Sequence, residues 1–183
     1  MDWCASQERI DPERLVFLDE MGLQTDLTRL RGWAPTGERL VEAVPGGKWH
    51  TSTLVQAIGL DGIRAAMLLD GPINASSFAG FCRWLLIPAL YPGDIVVLDN
   101  LSSHRSAAAI GAIEAGGARV VYLPPYSPDL NPIENVFSKV KQLFRKIRPR
   151  NFRQIVAAAK HVLNKITLDD LESVFLHCGY IGT

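Results

Sequence analysis

Apolar residues recur along the chain in two rhythms, short continuous runs in the first half and strand-then-helix alternation in the second. Arg14-Leu15-Val16-Phe17-Leu18-Asp19-Glu20 is an apolar run ending in two carboxylates, the pattern of a central strand buried on both faces and emerging at a sheet edge. Gly32-Trp33-Ala34-Pro35-Thr36-Gly37 is turn chemistry. Glu38 to Val44, Thr51 to Gly59 and Ile63 to Leu69 are strand-length segments separated by Pro45-Gly46-Gly47 and by Asp61-Gly62, a dipeptide suited to a tight hairpin. They predict an antiparallel three-stranded meander. After Gly71-Pro72, Asn74 can cap a helix reaching about Leu90, with Phe78, Phe81, Leu85 and Trp84 on its buried side.

Asp94 to Leu98 reads as a buried strand stopping at Asp99, Arg105 to Ala115 as an alanine-rich helix ended by Gly116-Gly117, and Arg119 to Leu123 as another strand. The loop Pro124-Pro125-Tyr126-Ser127-Pro128 is stiffened by proline, and Asn131-Pro132 opens a helix to about Ile147. A helix from Asn151 to Ile166 would bury Phe152, Ile155, Val156, Ala159, Val162, Leu163 and Ile166, and a last one covers Leu168 to Leu176. A meander followed by β-α-β and further helices predicts an α/β fold, a mixed sheet flanked by helices, in one domain spanning residues 1–183.

Composition narrows the class. With 48% hydrophobic and 21% charged residues the chain can bury a core of its own and is neither disordered nor fibrous. No apolar run reaches the length of a membrane span, and the N-terminus lacks the order of a secretory signal, so a cytoplasmic protein is expected. Cys4, Cys82 and Cys178 are odd in number and far apart, which predicts reduced thiols rather than disulfides or a zinc site. The formal charge is zero, from 19 basic and 19 acidic residues, yet residues 135–168 hold nine Lys or Arg and no acid. A segment of +9 is thus joined to a remainder of −9, which fits either a phosphate-bearing partner or a solvated helical face.

Asp19 and Asp99 each end an apolar strand, where open α/β sheets place their ligands, and Glu134 falls in the first turn of a helix. Converging carboxylates would repel one another unless a cation lay between them, and their hard oxygens suit Mg²⁺ or Mn²⁺. Each also has a plainer reading: an aspartate at a strand end starts turns, and Glu134, three residues after Asn131, resembles half of a capping box.

Three motifs, LDE at 18–20, VVLDNLSSH at 96–104 and LPPYSPDLNPIENVFSKVK at 123–141, resemble the catalytic domain of IS630-type transposases, DDE enzymes of the Tc1/mariner superfamily. RLRGWAPTGERL at 29–40 and LDGPIN at 69–74 are similar to that family as well, and Asp99 and Glu134 stand 35 positions apart, its second-to-third acid spacing. The resemblance implies an RNase H-like fold with Asp19, Asp99 and Glu134 as catalytic residues holding two Mg²⁺ ions, Mn²⁺ being a substitute. It implies DNA cleavage at transposon ends followed by 3′-hydroxyl attack on target DNA. It further implies a homodimer or higher assembly on DNA, in a bacterial cytoplasm near the nucleoid.

The rivals are a simple RNase H-like nuclease and a non-catalytic DNA-binding or dimerising remnant. Relatives carry an N-terminal helix-turn-helix, whereas about 14 residues precede the first strand here, so recognition of the ends is expected from an upstream partner half or a missing segment. Asn100 and His104 belong to the family motif and would orient Asp99 or touch DNA, with capping of the next helix the alternative for His104. Glu20 is either an acid supporting the ligands or an exposed turn residue. Lys139, Lys141, Arg145, Lys146, Arg148 and Arg150 are expected to contact DNA phosphates. Trp33 and Trp49 suit packing better than stacking on flipped bases. Relief of repulsion predicts that Asp99→Asn leaves the metal-free fold at least as stable.

Overall fold

Five strands build one sheet in the order β3-β2-β1-β4-β5 in a computed structural model of the chain, which describes residues 10–44, 46, 49–101, 104 and 106–182. They are β1 (Leu15–Gln24), β2 (Thr51–Gly59), β3 (Gly62–Leu69), β4 (Ile95–Leu98) and β5 (Arg119–Tyr122). β1, β2 and β3 pair antiparallel, and β1, β4 and β5 run parallel, so the expected mixed sheet is present.

Side chains of β1 alternate between two cores. Leu15, Phe17, Met21 and Leu23 face helices α3 (Pro132–Ile147), α4 (Phe152–Leu163) and α5 (Leu168–His177). Val16 and Leu18 face α1 (Ala75–Phe81) and α2 (Ala107–Ala115) on the other side. With both faces covered, the continuous apolar run of β1 is what the fold requires. Asn74, Ser106, Asn151 and Thr167 each cap a helix by accepting a backbone N–H three residues on.

Three sequence expectations are corrected. Glu38 to Val44 forms no strand, and residues 29–44 are exposed throughout. The antiparallel edge of β2 is taken by β1, which runs on past Glu20 to Gln24 and pairs its Asp19 with Gln56, leaving the intervening segment no place beside β2. The meander is therefore β1-β2-β3. After α1 the helix loosens into a π turn (Cys82–Leu86) and a 3₁₀ turn (Ile87–Ala89). The wider turn changes the phase, so that Leu86 is buried while Leu85 and Trp84 face solvent, Trp84 at 70% exposure. In α4 the buried residues are Ile155, Ala158 and Val162, with Val156 exposed. Cys82 and Cys178 are free and buried, as reduced thiols should be, while Cys4 lies outside the described residues.

The C-terminal helix belongs to the first core. Phe175 meets Phe17 edge-on at 5.3 Å, Tyr180 lies 4.9 Å from the same ring, and the Tyr180 hydroxyl donates to the Leu130 carbonyl at 2.6 Å. Phe175→Ala should therefore cost about 3–5 kcal/mol in urea unfolding. Trp84→Ala, at an exposed position, should stay within about 0.5 kcal/mol of the parent.

Candidate active site

Parallel pairing of β1 with β4 ends at Leu18 opposite Leu98, so the next residues, Asp19 and Asp99, emerge side by side on neighbouring strands, about 4.8 Å apart in backbone spacing. Beyond β5 the chain turns through Pro124 to Pro128 and enters α3, whose first turn carries Glu134. All three acids line a single cleft of about 420 Å³, together with Asn100, Leu101, Tyr126 and Asn131 among others.

The acids are not equivalent. Asp19 is buried, 4% exposed, whereas Glu134 is open to solvent. Burial pushes the Asp19 carboxyl up to about 7; the Glu20 N–H, donating to its Oδ1 at 2.7 Å, resists this, and the neighbouring charges of Asp99, Glu134 and Glu20 add to the rise. Asp99 behaves oppositely. Burial also pushes it up, but His104 Nδ1, at 2.6 Å from its Oδ1, and the Leu101 N–H at 3.0 Å outweigh that and hold it below the usual carboxylate range.

His104 is fully buried between two acids, with Nδ1 on Asp99 and Nε2 on Glu20. Burial disfavours its charged form, yet the two carboxylates raise it to about 9, so an imidazolium donates in both directions. It neither touches solvent nor caps α2, whose cap is Ser106. The Glu20 side chain accordingly faces His104 rather than open solvent. Ligand atoms of Asp19, Glu20 and His104 lie within 4.8 Å of one another, but both His104 nitrogens are already engaged, so the histidine serves as a brace rather than as a ligand.

Asn100 donates to the Leu123 carbonyl at 2.6 Å and ties the end of β4 to the loop after β5. The sequence pattern marks Asn131 only as the start of a helix. Its side chain makes no capping bond and instead donates to Asp19 Oδ2 at 2.9 Å, so no capping box forms with Glu134. Nothing in local spacing signals a contact spanning 112 residues. On β2, directly opposite Asp19, Gln56 is buried with neither amide atom hydrogen-bonded among the described residues. A donor set of three hard carboxylates, one of them starved of positive charge, suits a divalent cation.

Three of the six basic residues expected on DNA have partners inside the chain. Lys139 pairs with Asp170, Arg148 with Glu42, and Arg150 donates to the Thr25 and Leu27 carbonyls at 3.0 and 3.3 Å. Lys141, Arg145 and Lys146 make no hydrogen bond or ion pair among the described residues. Glu134, Ser138, Lys141 and Arg145 follow one helical stripe, placing the two cations about 10 and 16 Å along α3 from the acid. Trp33, expected to pack, is 99% exposed, and Trp49 is half exposed.

A mixed sheet of this order, with acids after two neighbouring parallel strands and on a following helix, defines the RNase H-like class. Residues 14–156 match the family of DDE superfamily endonucleases, and the chain belongs to that family. Among solved structures it is similar to the Mos1 transposase paired-end complex with left transposon end, at 18% identity and a TM-score of 0.78, covering 96% of this chain and 55% of that one. The Mos1 mariner paired end complex with Mn shows 17% identity and a TM-score of 0.78, covering 97% and 56%. The crystal structure of the catalytic domain of Mos1 mariner transposase shows 16% identity and a TM-score of 0.72, covering 96% and 81%. The chain thus spans little more than half of the Mos1 chains in the DNA complexes. No curated protein matches its sequence. No helix among the described residues is long and apolar enough to cross a membrane.

The two groups of the site that are shifted upward, Asp19 and His104, make the metal-free protein lose stability as pH rises. A raised acid such as Asp19 contributes fully below pH 3.8 and loses roughly 4 kcal/mol of stability as pH climbs through about 7. His104 contributes below pH 6.5 and loses its share as pH passes about 9. Melting temperatures in EDTA should therefore fall from pH 5 to pH 9.5, with Asp19→Asn flattening the lower part and His104→Gln the upper. Because His104 and Leu101 favour the Asp99 carboxylate, Asp99→Asn should lower the melting temperature at pH 7, reversing the expectation drawn from repulsion alone.

Proposed function

We propose that this chain is the catalytic domain of a DNA transposase of the IS630 and Tc1/mariner kind, comprising residues 1–183, with recognition of the transposon ends supplied by a helix-turn-helix region outside it. The observation that carries the reading is the convergence of Asp19, Asp99 and Glu134 on one cleft in a chain of the DDE endonuclease family. These three carboxylates would hold two Mg²⁺ ions, with Mn²⁺ as substitute. Bound divalent ions supply Lewis acidity at the phosphoryl oxygens and lower the pKa of the attacking water. Mos1 complexes bearing Mg or Mn support that choice.

The chain's own residues orient and hold. Asn131 and the Glu20 N–H fix the Asp19 carboxylate through one oxygen each, and His104 keeps Asp99 ionised and holds its Oδ1. A water would first break the phosphodiester at a transposon end, and the freed 3′-hydroxyl would then displace a target-strand oxygen, with no covalent protein intermediate. Lys141, Arg145 and Lys146, free of internal partners among the described residues, would neutralise phosphates along α3 without reading bases. The working form would be a homodimer or larger assembly on DNA, in the cytoplasm at the nucleoid.

Asp99→Asn and Glu134→Gln should each abolish nicking of supercoiled DNA in Mg²⁺ and Mn²⁺, and EDTA should abolish it in the wild type; nicking at the parental rate by either variant, or robust cleavage in EDTA, sinks the assignment. Strand-transfer products on DNA separate a transposase from a plain nuclease.

DNA binding by this chain alone should be weak, with Kd on the order of 10⁻⁴ to 10⁻⁶ M, and nearly independent of sequence. Replacing Lys141 and Arg145 together should flatten the slope of log K against log salt by about 2. An unchanged slope would make these side chains a solvated helical face, and strong preference for terminal repeats would place recognition within this chain.

A further inference from the structure

Tyr126 stands at the rim of the acidic cleft in a backbone conformation that its residue type disfavours. Its φ is +57°, in the left-handed region that glycine enters freely and a bulky L residue does not, and its side chain is fully exposed. Strain of this kind persists when packing or function demands it. Packing does not: the ring is covered by nothing, and the hydroxyl has no partner among the described residues.

The loop around it is nonetheless held firmly. Pro124, Pro125 and Pro128 restrict the backbone, the Leu130 N–H donates to the Ser127 carbonyl at 3.2 Å, the Asn131 N–H donates to Pro128 at 2.9 Å, and the Tyr180 hydroxyl grips Leu130 from below. The backbone at Tyr126 is therefore held at the cleft rim, and the ring it displays is free to meet a ligand face.

The lining of the cleft limits what such a plate can meet. Among the described residues it contains acids, amides, prolines and leucines and no lysine or arginine. Divalent ions on the acids would meet the phosphate itself, but no basic side chain lines the cleft beside them, so a nucleobase brought there is left to a non-ionic contact. A nucleobase offers one, since every base has a π face and stacking on an aromatic ring tolerates any sequence. We propose that Tyr126 is the stacking platform for the nucleobase next to the phosphate positioned between Asp19, Asp99 and Glu134. The assignment rests on the nucleic-acid reading above and adds to it a contact that seats the substrate strand.

The test uses the full chain with three variants, Tyr126→Phe, Tyr126→Leu and Tyr126→Gly, and a nicked duplex oligonucleotide with 2-aminopurine on either side of the nick. Wild type should quench the 2-aminopurine on binding in Ca²⁺, Phe should retain the quenching because it keeps the ring, and Leu and Gly should lose it. For nicking of plasmid in Mn²⁺, Leu and Gly should raise KM at least five-fold, with Phe close to wild type. Tyr126→Gly should melt no lower than the parent, since it removes strain and no packing. Unchanged quenching and KM in the Leu and Gly variants would overturn the proposal, as would a Phe variant as poor as Leu, which would assign the effect to the hydroxyl. Absence of nicking by the wild type together with ring-dependent quenching would count against the transposase reading while leaving the stacking contact standing.

Discussion

Four parallel backbone pairings between β1 and β4, from Leu15 with Ile95 to Leu18 with Leu98, decide where chemistry can sit in this molecule. β4 stops at Leu98, whereas β1 continues to pair with β2 on its other side. Asp19 thus stays inside the sheet while Asp99 escapes it. That asymmetry buries Asp19 the more deeply, and because His104 and the Leu101 N–H hold Asp99 ionised, two residues of the same type shift in opposite directions. An acid gathered next to others at the edge of a core is unfavourable by itself, and much of the neighbouring structure compensates for it.

His104 and Asn131 are the principal compensations. His104 brings a positive charge between Asp99 and Glu20 without offering it to solvent, with its ring stacked at 4.8 Å from Phe78 and its carbonyl held by the Tyr122 hydroxyl. Asn131 supplies a neutral donor to Asp19 from the other side of the cleft. Neither residue supplies positive charge to Asp19, and its hard oxygens suit a divalent cation. The C-terminal helix extends this support from outside the residues matched to the family: through Phe17 and Leu130, α5 and Tyr180 steady both the strand bearing Asp19 and the loop that delivers Glu134.

Charge segregation has a divided purpose. Lys139, Arg148 and Arg150 secure α3 and the segment after it to Asp170, Glu42 and the backbone at Thr25 and Leu27, and so serve the fold. Lys141 and Arg145 lie on the stripe that begins at Glu134. A basic run in the sequence therefore overstates the cationic surface, because a cation near a free carbonyl or carboxylate is drawn inward.

Local pattern alone determined much of this protein: the buried run at Leu15 to Leu18, the hairpin at Asp61-Gly62, helix α3 from Pro132 to Ile147, and the three acids at the ends of their elements. Each is set by near neighbours, through periodicity, turn chemistry and capping, so each is legible from a short window. What failed was equally physical. Glu38 to Val44 has a strand's composition, but the edge of β2 at which a meander would seat it is occupied by β1. The phase of the helix at Trp84 depended on a π turn. The bonds of Asn131 to Asp19, His104 to Glu20 and Tyr180 to Leu130 span 50 to 112 residues, and the left-handed turn at Tyr126 sits in a loop tied down at both ends. Those contacts exist only once the sheet has brought distant segments together, so tertiary structure alone decided them.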